Sequence, residues 1–184
     1  QYGSVGMLFG SSINFGTYFS GAPENIYGIH WLPTSPHITI YGIEPEKADN
    51  LYKRFLLDLK KKEGRDSEIG WFHIIWPFQS MGDPNAALAK WNAEAIAKDG
   101  SINEVFNTYW FMNNMVSAGT RNGDLYCSNW SGYNIFKKDD KYTAMIWNPT
   151  DNDFVAEFKS FATGEVVGSI HVPAKSLSVG FQII

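Results

Sequence analysis

Ile26-Tyr27-Gly28-Ile29-His30-Trp31-Leu32-Pro33-Thr34-Ser35-Pro36-His37 places two histidines and a tryptophan beside two prolines. Each proline fixes its own φ at about −65° and pushes the residue before it toward extended conformations, so Leu32 and Ser35 are expected to be extended. The run therefore reads as a stiff aromatic loop and not as a helix. Such a loop would offer Trp31 as an apolar face to a flat, hydroxyl-rich ligand such as a sugar, with the histidines hydrogen bonding to its edges. The same composition also suits a loop that packs its own aromatics.

Around this run, Val5 to Tyr41 is rich in glycine, proline and aromatic residues, with Glu24 its only acid and no base. It is expected to form loops and short extended pieces against a larger body. A helix is predicted over Pro45 to Glu63, because Ala48, Leu51, Tyr52, Phe55, Leu56 and Leu59 recur at helical spacing. Pro45 suits its first turn, Lys60 to Lys62 its last, and Gly64 supplies the stop. Trp71 to Phe78 is too apolar to face water and reads as a buried helix ending near Pro77. Asp83-Pro84 marks the next helix start, running through an alanine-rich stretch to Ala97. Ser101 and Glu104 have capping-box spacing and open a helix through Ser117, ended by Gly119.

Beyond Asn122-Gly123 the pattern turns to β. Tyr133 to Phe136, a charged turn over Lys137 to Lys141, and Tyr142 to Trp147 read as a hairpin. Phe154, Ala156 and Phe158 alternate with Val155, Glu157 and Lys159. Gly164, Gly168 and Pro173 then separate short strands at Val166 and Val167, Ser169 to Val172, and Leu177 to Phe181. The expected organisation is a mainly α body over residues 1–123, with ligand-facing loops in 1–43, followed by a small antiparallel β unit over 124–184. Gln1-Tyr2-Gly3-Ser4 runs straight into apolar Val5 to Phe9, which reads as the middle of a domain.

The bulk numbers narrow the partners. The chain has 184 residues, 44% hydrophobic content and a net charge of −4, so it can bury a substantial core and carries no basic footprint for nucleic acid or anionic membrane surfaces. Aromatics make up 16% of it, which suits a carbohydrate-handling surface. Cys127 is the single cysteine, so no internal disulfide forms. His30, His37, His73 and His171 lack metal-site spacing, and neither a metal nor another cofactor is expected. Cys127 has no histidine nearby in sequence, no Gly-x-Ser-x-Gly elbow occurs, and Gly3, Gly6 and Gly10 lack the lysine of a phosphate loop.

Several stretches taken in order resemble a known family. These are Val5 to Gly10, Thr17-Tyr18-Phe19, Ile26 to Pro36, and Ser101 through Asn107-Thr108-Tyr109-Trp110-Phe111. They resemble the C-terminal part of glycoside hydrolase family 81, the endo-β-1,3-glucanases or laminarinases. The β tail, with Tyr133 to Lys138 and Trp147-Asn148-Pro149-Thr150, resembles the end of bacterial members. The resemblance implies a secreted, inverting hydrolase acting on β-1,3-glucan such as laminarin, curdlan or cell-wall glucan, with this chain supplying the C-terminal portion of an (α/α)6 barrel and then a β unit. By position in the matching motif, Tyr18, Phe19, His30 and Trp31 are expected to line the cleft, and Asn107, Tyr109 and Trp110 are second choices. For Tyr109 and Trp110 core packing is an equal expectation.

The resemblance also implies that the acid and base carboxylates lie upstream, in motifs that these residues do not contain, so no catalytic residue is expected in this chain. Its partner is then the upstream part of the same enzyme. Inverting hydrolysis needs two carboxyl groups roughly 6.5 to 9.5 Å apart, and the nineteen acids here almost all have duller roles. Asp83, Glu104, Glu44 and Glu46 belong to helix starts. Asp49, Asp58, Glu63 and Glu94 read as solvated helix charges, and Asp66, Glu68, Asp99, Asp139, Asp140, Asp151 and Asp153 as turn residues. Glu157 and Glu165 fall on or beside exposed strand positions. Only Glu24 and Asp124 lack an evident role. Two competing readings remain: a non-catalytic carbohydrate-binding module using the same aromatics, and a structural remnant without a ligand.

Overall fold

The computed structural model describes residues 22–31, 44–91 and 102–181, with the side chains of 29, 30, 102–107 and 181 outside that description. Among the described residues there are five helices and seven strands: α1 (Pro23–His30), α2 (Pro45–Glu63), α3 (Phe72–Ser80), α4 (Pro84–Lys90), α5 (Ile102–Ala118), and β1 (Thr120–Arg121), β2 (Leu125–Cys127), β3 (Tyr133–Lys138), β4 (Lys141–Asn148), β5 (Phe154–Ser160), β6 (Val166–Val172) and β7 (Ser176–Phe181). The chain divides into two compact units between Ser117 and Ala118. Sequence reading places this change a few residues later, because β1 is only two residues long and leaves no alternation to detect.

In the first unit α2 has the predicted bounds and buries Ala48, Leu51, Tyr52, Phe55 and Leu59. It stops at Gly64, whose φ of 70° is open to glycine, and whose N–H donates to the Lys60 carbonyl at 3.1 Å. Asp83 caps α4 by accepting from the Ala86 N–H at 2.9 Å. The described part of the alanine-rich stretch ends at Trp91, so its predicted extent to Ala97 lies outside the described residues, as does the capping box of Ser101 and Glu104.

Two helices depart from expectation. Ile26 to His30 are helical, within α1. Pro33 and Pro36 lie past its end and leave it unhindered, while Pro23 in its first turn presets the helical φ. Helix α3 passes through Pro77 to Ser80. The proline removes one helical donor, but Ile74, Ile75, Trp76 and Phe78 are buried, and that packing outweighs one lost bond. The fit between α1 and the start of α3 needs Gly28, because a Cβ there would collide with the Trp71 indole.

The second unit is a two-layer sandwich. One sheet has the order β1-β3-β4-β7 and the other β2-β5-β6, all pairs antiparallel. Cys127, Ile135, Ala144, Ile146, Ala156, Phe158 and Val172 form the core, drawn from both sheets. The predicted hairpin forms with a shorter turn: Asp139 and Asp140 alone connect β3 to β4, with Asp139 at φ 53°. Strand β6 runs unbroken across Gly168, which sits opposite Phe158 where the ladder shifts register. Glycine there marks an irregularity within a strand and not its end. Fully buried Asn148 holds the far end together. Its amide donates to the Asn152 and Pro173 carbonyls, both at 2.9 Å, and its oxygen accepts from the Thr150 hydroxyl at 2.7 Å.

Candidate functional site

The expected cleft residues fare unequally. Tyr18 and Phe19 lie outside the described residues, as does the side chain of His30, the last residue of α1. Trp31 follows α1 directly and is only 1% exposed. Its ring stacks on Phe78 with centroids 4.0 Å apart and meets Phe55 edge-on at 5.4 Å. A sugar-binding platform needs at least one ring face open to solvent, and this indole is enclosed. The expectation that Trp31 offers its face to a sugar is therefore corrected. Its Nε1 has no hydrogen-bond partner, so packing alone orients the ring.

The acids are committed to structure more deeply than the sequence indicates. Glu24 is buried and ion-paired at 2.6 Å with Arg65, which also pairs with Glu63; the Arg65 pairing draws the loop after α2 onto α1. Asp58, read from sequence as solvated, accepts a 2.6 Å bond from the Tyr27 hydroxyl. Glu68, read as a turn residue, is the centre of a buried cluster. It accepts from Trp76 Nε1 at 2.6 Å, from Lys90 Nζ at 2.7 Å and from the Tyr52 hydroxyl at 3.1 Å. Lys90 also bonds the Tyr52 hydroxyl and sits 4.7 Å from that ring's centroid. Burial first, and then the negative charge of Glu68, push the Tyr52 phenol far above its ordinary pKa. One carboxylate thus ties together α2, α3 and α4. Its position just before the apolar Trp71 to Phe78 run is the signal that it cannot be a solvated turn acid.

In the second unit Asp124 accepts from the Tyr142 hydroxyl at 2.8 Å and pairs with Lys137 at 3.3 Å. The Tyr142 hydrogen bond, with help from Lys137, holds its carboxyl below the usual range. Both acids that sequence reading leaves without a role therefore have structural ones. Among the described residues no group of three or more His, Cys, Asp or Glu is arranged to hold a metal ion, and no helix is long and apolar enough to cross a membrane.

Among the described residues, one surface open to ligand contact is the outer side of α5. Thr108, Met112 and Met115 are buried at four- and three-residue spacing, and Tyr109 is half-buried against Trp91, centroids 5.3 Å apart. The other side carries Trp110 at 56% exposure, Phe111 at 38%, and exposed Asn114. Asn114 lies four residues after Trp110 and three after Phe111, so its amide stands one turn beyond both rings. Two rings beside an amide form a surface matched to a sugar: apolar faces for the C–H side of a ring, and a donor and acceptor for its hydroxyls. Of the second-choice residues, Trp110 is exposed, Tyr109 packs inward, and the side chain of Asn107 lies outside the description.

The chain is similar to known proteins along most of its length. A glucan endo-1,3-beta-D-glucosidase from Thermobifida fusca is 27% identical over 177 residues, covering 96% of this chain and 22% of that protein. One from Acetivibrio thermocellus is 22% identical over 161 residues, covering 88% of this chain and 20% of that protein. The solved structure of a glycoside hydrolase family 81 protein from Clostridium thermocellum matches with a TM-score of 0.66 and 21% identity, over 88% of this chain and 21% of that one. The chain resembles part of a family 81 glycoside hydrolase. It spans about a fifth of the length of the relatives it matches. No family model matches it.

Proposed function

We propose that this chain is the C-terminal part of an inverting endo-β-1,3-glucanase, contributing helices of an (α/α)6 barrel, part of the substrate cleft and a β unit. The observation that carries this reading is the pair of glucan endo-1,3-beta-D-glucosidases matched along nearly the whole chain but over only about a fifth of their own length. Inverting hydrolysis needs one carboxyl to protonate the leaving oxygen and another to activate water from the opposite side. Glu24, Asp58, Glu68 and Asp124 are each held by internal donors, which agrees with the acid and base lying upstream. In this reading Trp110, Phe111 and Asn114 serve a glucose unit. Tyr18, Phe19 and His30 keep the cleft roles that the family resemblance gives them. The substrate is a neutral β-1,3-glucan of the laminarin type, and the complete enzyme is secreted.

The test is release of reducing ends from laminarin, with cellulose as control, by this chain alone and by the full-length polypeptide that carries it. The expected result is none from the chain and β-1,3-specific release from the full-length polypeptide. Release by the chain alone would place the carboxylates here and overturn the division of labour.

A second reading has one observation in its favour. The β unit has two complete sheets around its own core, as a non-catalytic binding module would. Binding of laminarin by the chain, with a full-length polypeptide that never hydrolyses it, would select that reading.

A further inference from the structure

The outward face of the four-stranded sheet carries exposed apolar residues toward one end and polar and basic residues toward the other. Alternation puts Ile135, Ala144, Ile146 and Asn148 in the core. Gly180 also points inward, because a Cβ there would collide with Ile170 of the other sheet. The opposite face therefore carries Trp147 beside Leu177, then Asn134, Met145 and Val179, then Arg121, Phe136 and Thr143, in successive cross-strand rows. Trp147, Leu177 and Val179 are exposed by 51%, 61% and 43%. Arg121 is half-buried, and among the described residues no hydrogen bond or ion pair reaches its guanidinium.

We propose that this face is a docking surface for protein in the remainder of the longer enzyme, an apolar surface bearing a carboxylate that meets Arg121. The proposal rests on the reading of this chain as part of a longer glucanase. Three observations favour that occupant. Beside Trp147, the leucine, valine and methionine of this face neither stack on sugar rings nor bond hydroxyls, which favours packing against protein over a second glucan platform. Among the described outward strand positions Arg121 and Lys141 are basic and none is acidic, since Asp139 and Asp140 occupy the turn beyond them. A second copy of the face would bring cations toward cations, whereas a carboxylate partner completes Arg121 in the bidentate geometry that guanidinium favours. Finally, about four fifths of the relatives' length lies outside the matched region, which is ample surface to cover it.

Thiol labelling tests this directly. A cysteine placed by Leu177→Cys, or independently by Val179→Cys, is expected to react at the rate of an open thiol in the 184-residue chain and about tenfold more slowly in the full-length polypeptide, as about 1.4 kcal/mol of docking energy would give. Adding Arg121→Glu should restore fast labelling in the full-length polypeptide without changing the isolated chain. Equal rates in both forms would overturn the proposal. So would protection in the isolated chain that follows dimer formation by sedimentation, which would assign the face to a second copy. A full-length polypeptide that protects the thiol but does not hydrolyse laminarin would sustain the docking and reject the glucanase reading. A gene encoding nothing beyond these residues would overturn both.

Discussion

The indole of Trp31 lies flat on the ring of Phe78, with planes 2° from parallel. It joins the end of α1, which it directly follows, to the last turn of α3. Removing it would leave a cavity among Tyr27, Phe55 and Phe78. Trp31→Ala is therefore expected to cost about 3 to 5 kcal/mol of stability, measured by urea unfolding. A change near zero would mean that the ring is a surface platform after all.

Trp110 predicts the reverse. As an exposed residue on α5, its replacement by alanine should leave stability within about 0.5 kcal/mol. Affinity for laminarin, read by affinity electrophoresis of the full-length polypeptide, should fall roughly twofold to tenfold, the equivalent of about 0.5 to 1.5 kcal/mol of ring contact. Unchanged mobility would remove α5 from the cleft.

Glu68 is held by Trp76, Tyr52 and Lys90. Glu68→Ala strands three donors, one of them charged, and is expected to cost about 3 to 5 kcal/mol. Glu68→Gln keeps an acceptor and should cost less. A double change, Glu68→Leu with Lys90→Met, should recover much of the loss, because no charge is then left without its partner. Denaturation midpoints of the four proteins decide the matter.

Asp124 carries a pH prediction. Its carboxyl titrates below the ordinary range, chiefly through the Tyr142 hydrogen bond. A carboxylate depressed in the folded state adds stability above its unfolded pKa of about 3.9 and loses it as pH falls through the lower folded value. Melting temperatures of the chain and of Asp124→Asn should therefore differ most above about pH 5 and converge under acid. A constant gap across that range would argue against the titration.

Gly119 ends α5 at a φ of 93°, and a Cβ there would strike the Lys137 carbonyl of β3. The backbone conformation and the collision act together, so Gly119→Ala should destabilise by more than about 1 kcal/mol. The loss should be visible in the thermal unfolding of the β unit.

Local chemistry made much of this chain legible in advance. The bounds of α2 follow from Pro45, from the recurrence of Leu51, Phe55 and Leu59, and from Gly64. The cap of α4 follows from Asp83, and β5 follows from its strict alternation. Each of these depends on neighbours within a few residues, which a sequence displays directly. The aromatic run departs from its expected loop because Pro33 and Pro36 do not act back over Ile26 to His30: a proline constrains itself and the one residue before it.

Side-chain function was less legible because it depends on burial, and burial is a property of packing between elements distant in the chain. Trp31 and Trp110 are the same residue type, and nothing local separates them; Phe78 and Phe55 enclose the first, while the inward turn of Met112 and Met115 leaves the second facing out. Glu68 resembled any turn acid until Tyr52, Trp76 and Lys90 converged on it from three helices. The sequence alone determined the bounds of α2, the start of α4 and the course of β5, and carried the likeness to family 81, because these are written in short-range patterns. Only the tertiary structure decided which aromatics and acids remain available to a ligand, because that choice is made by long-range packing, where burial outweighs what any single residue prefers.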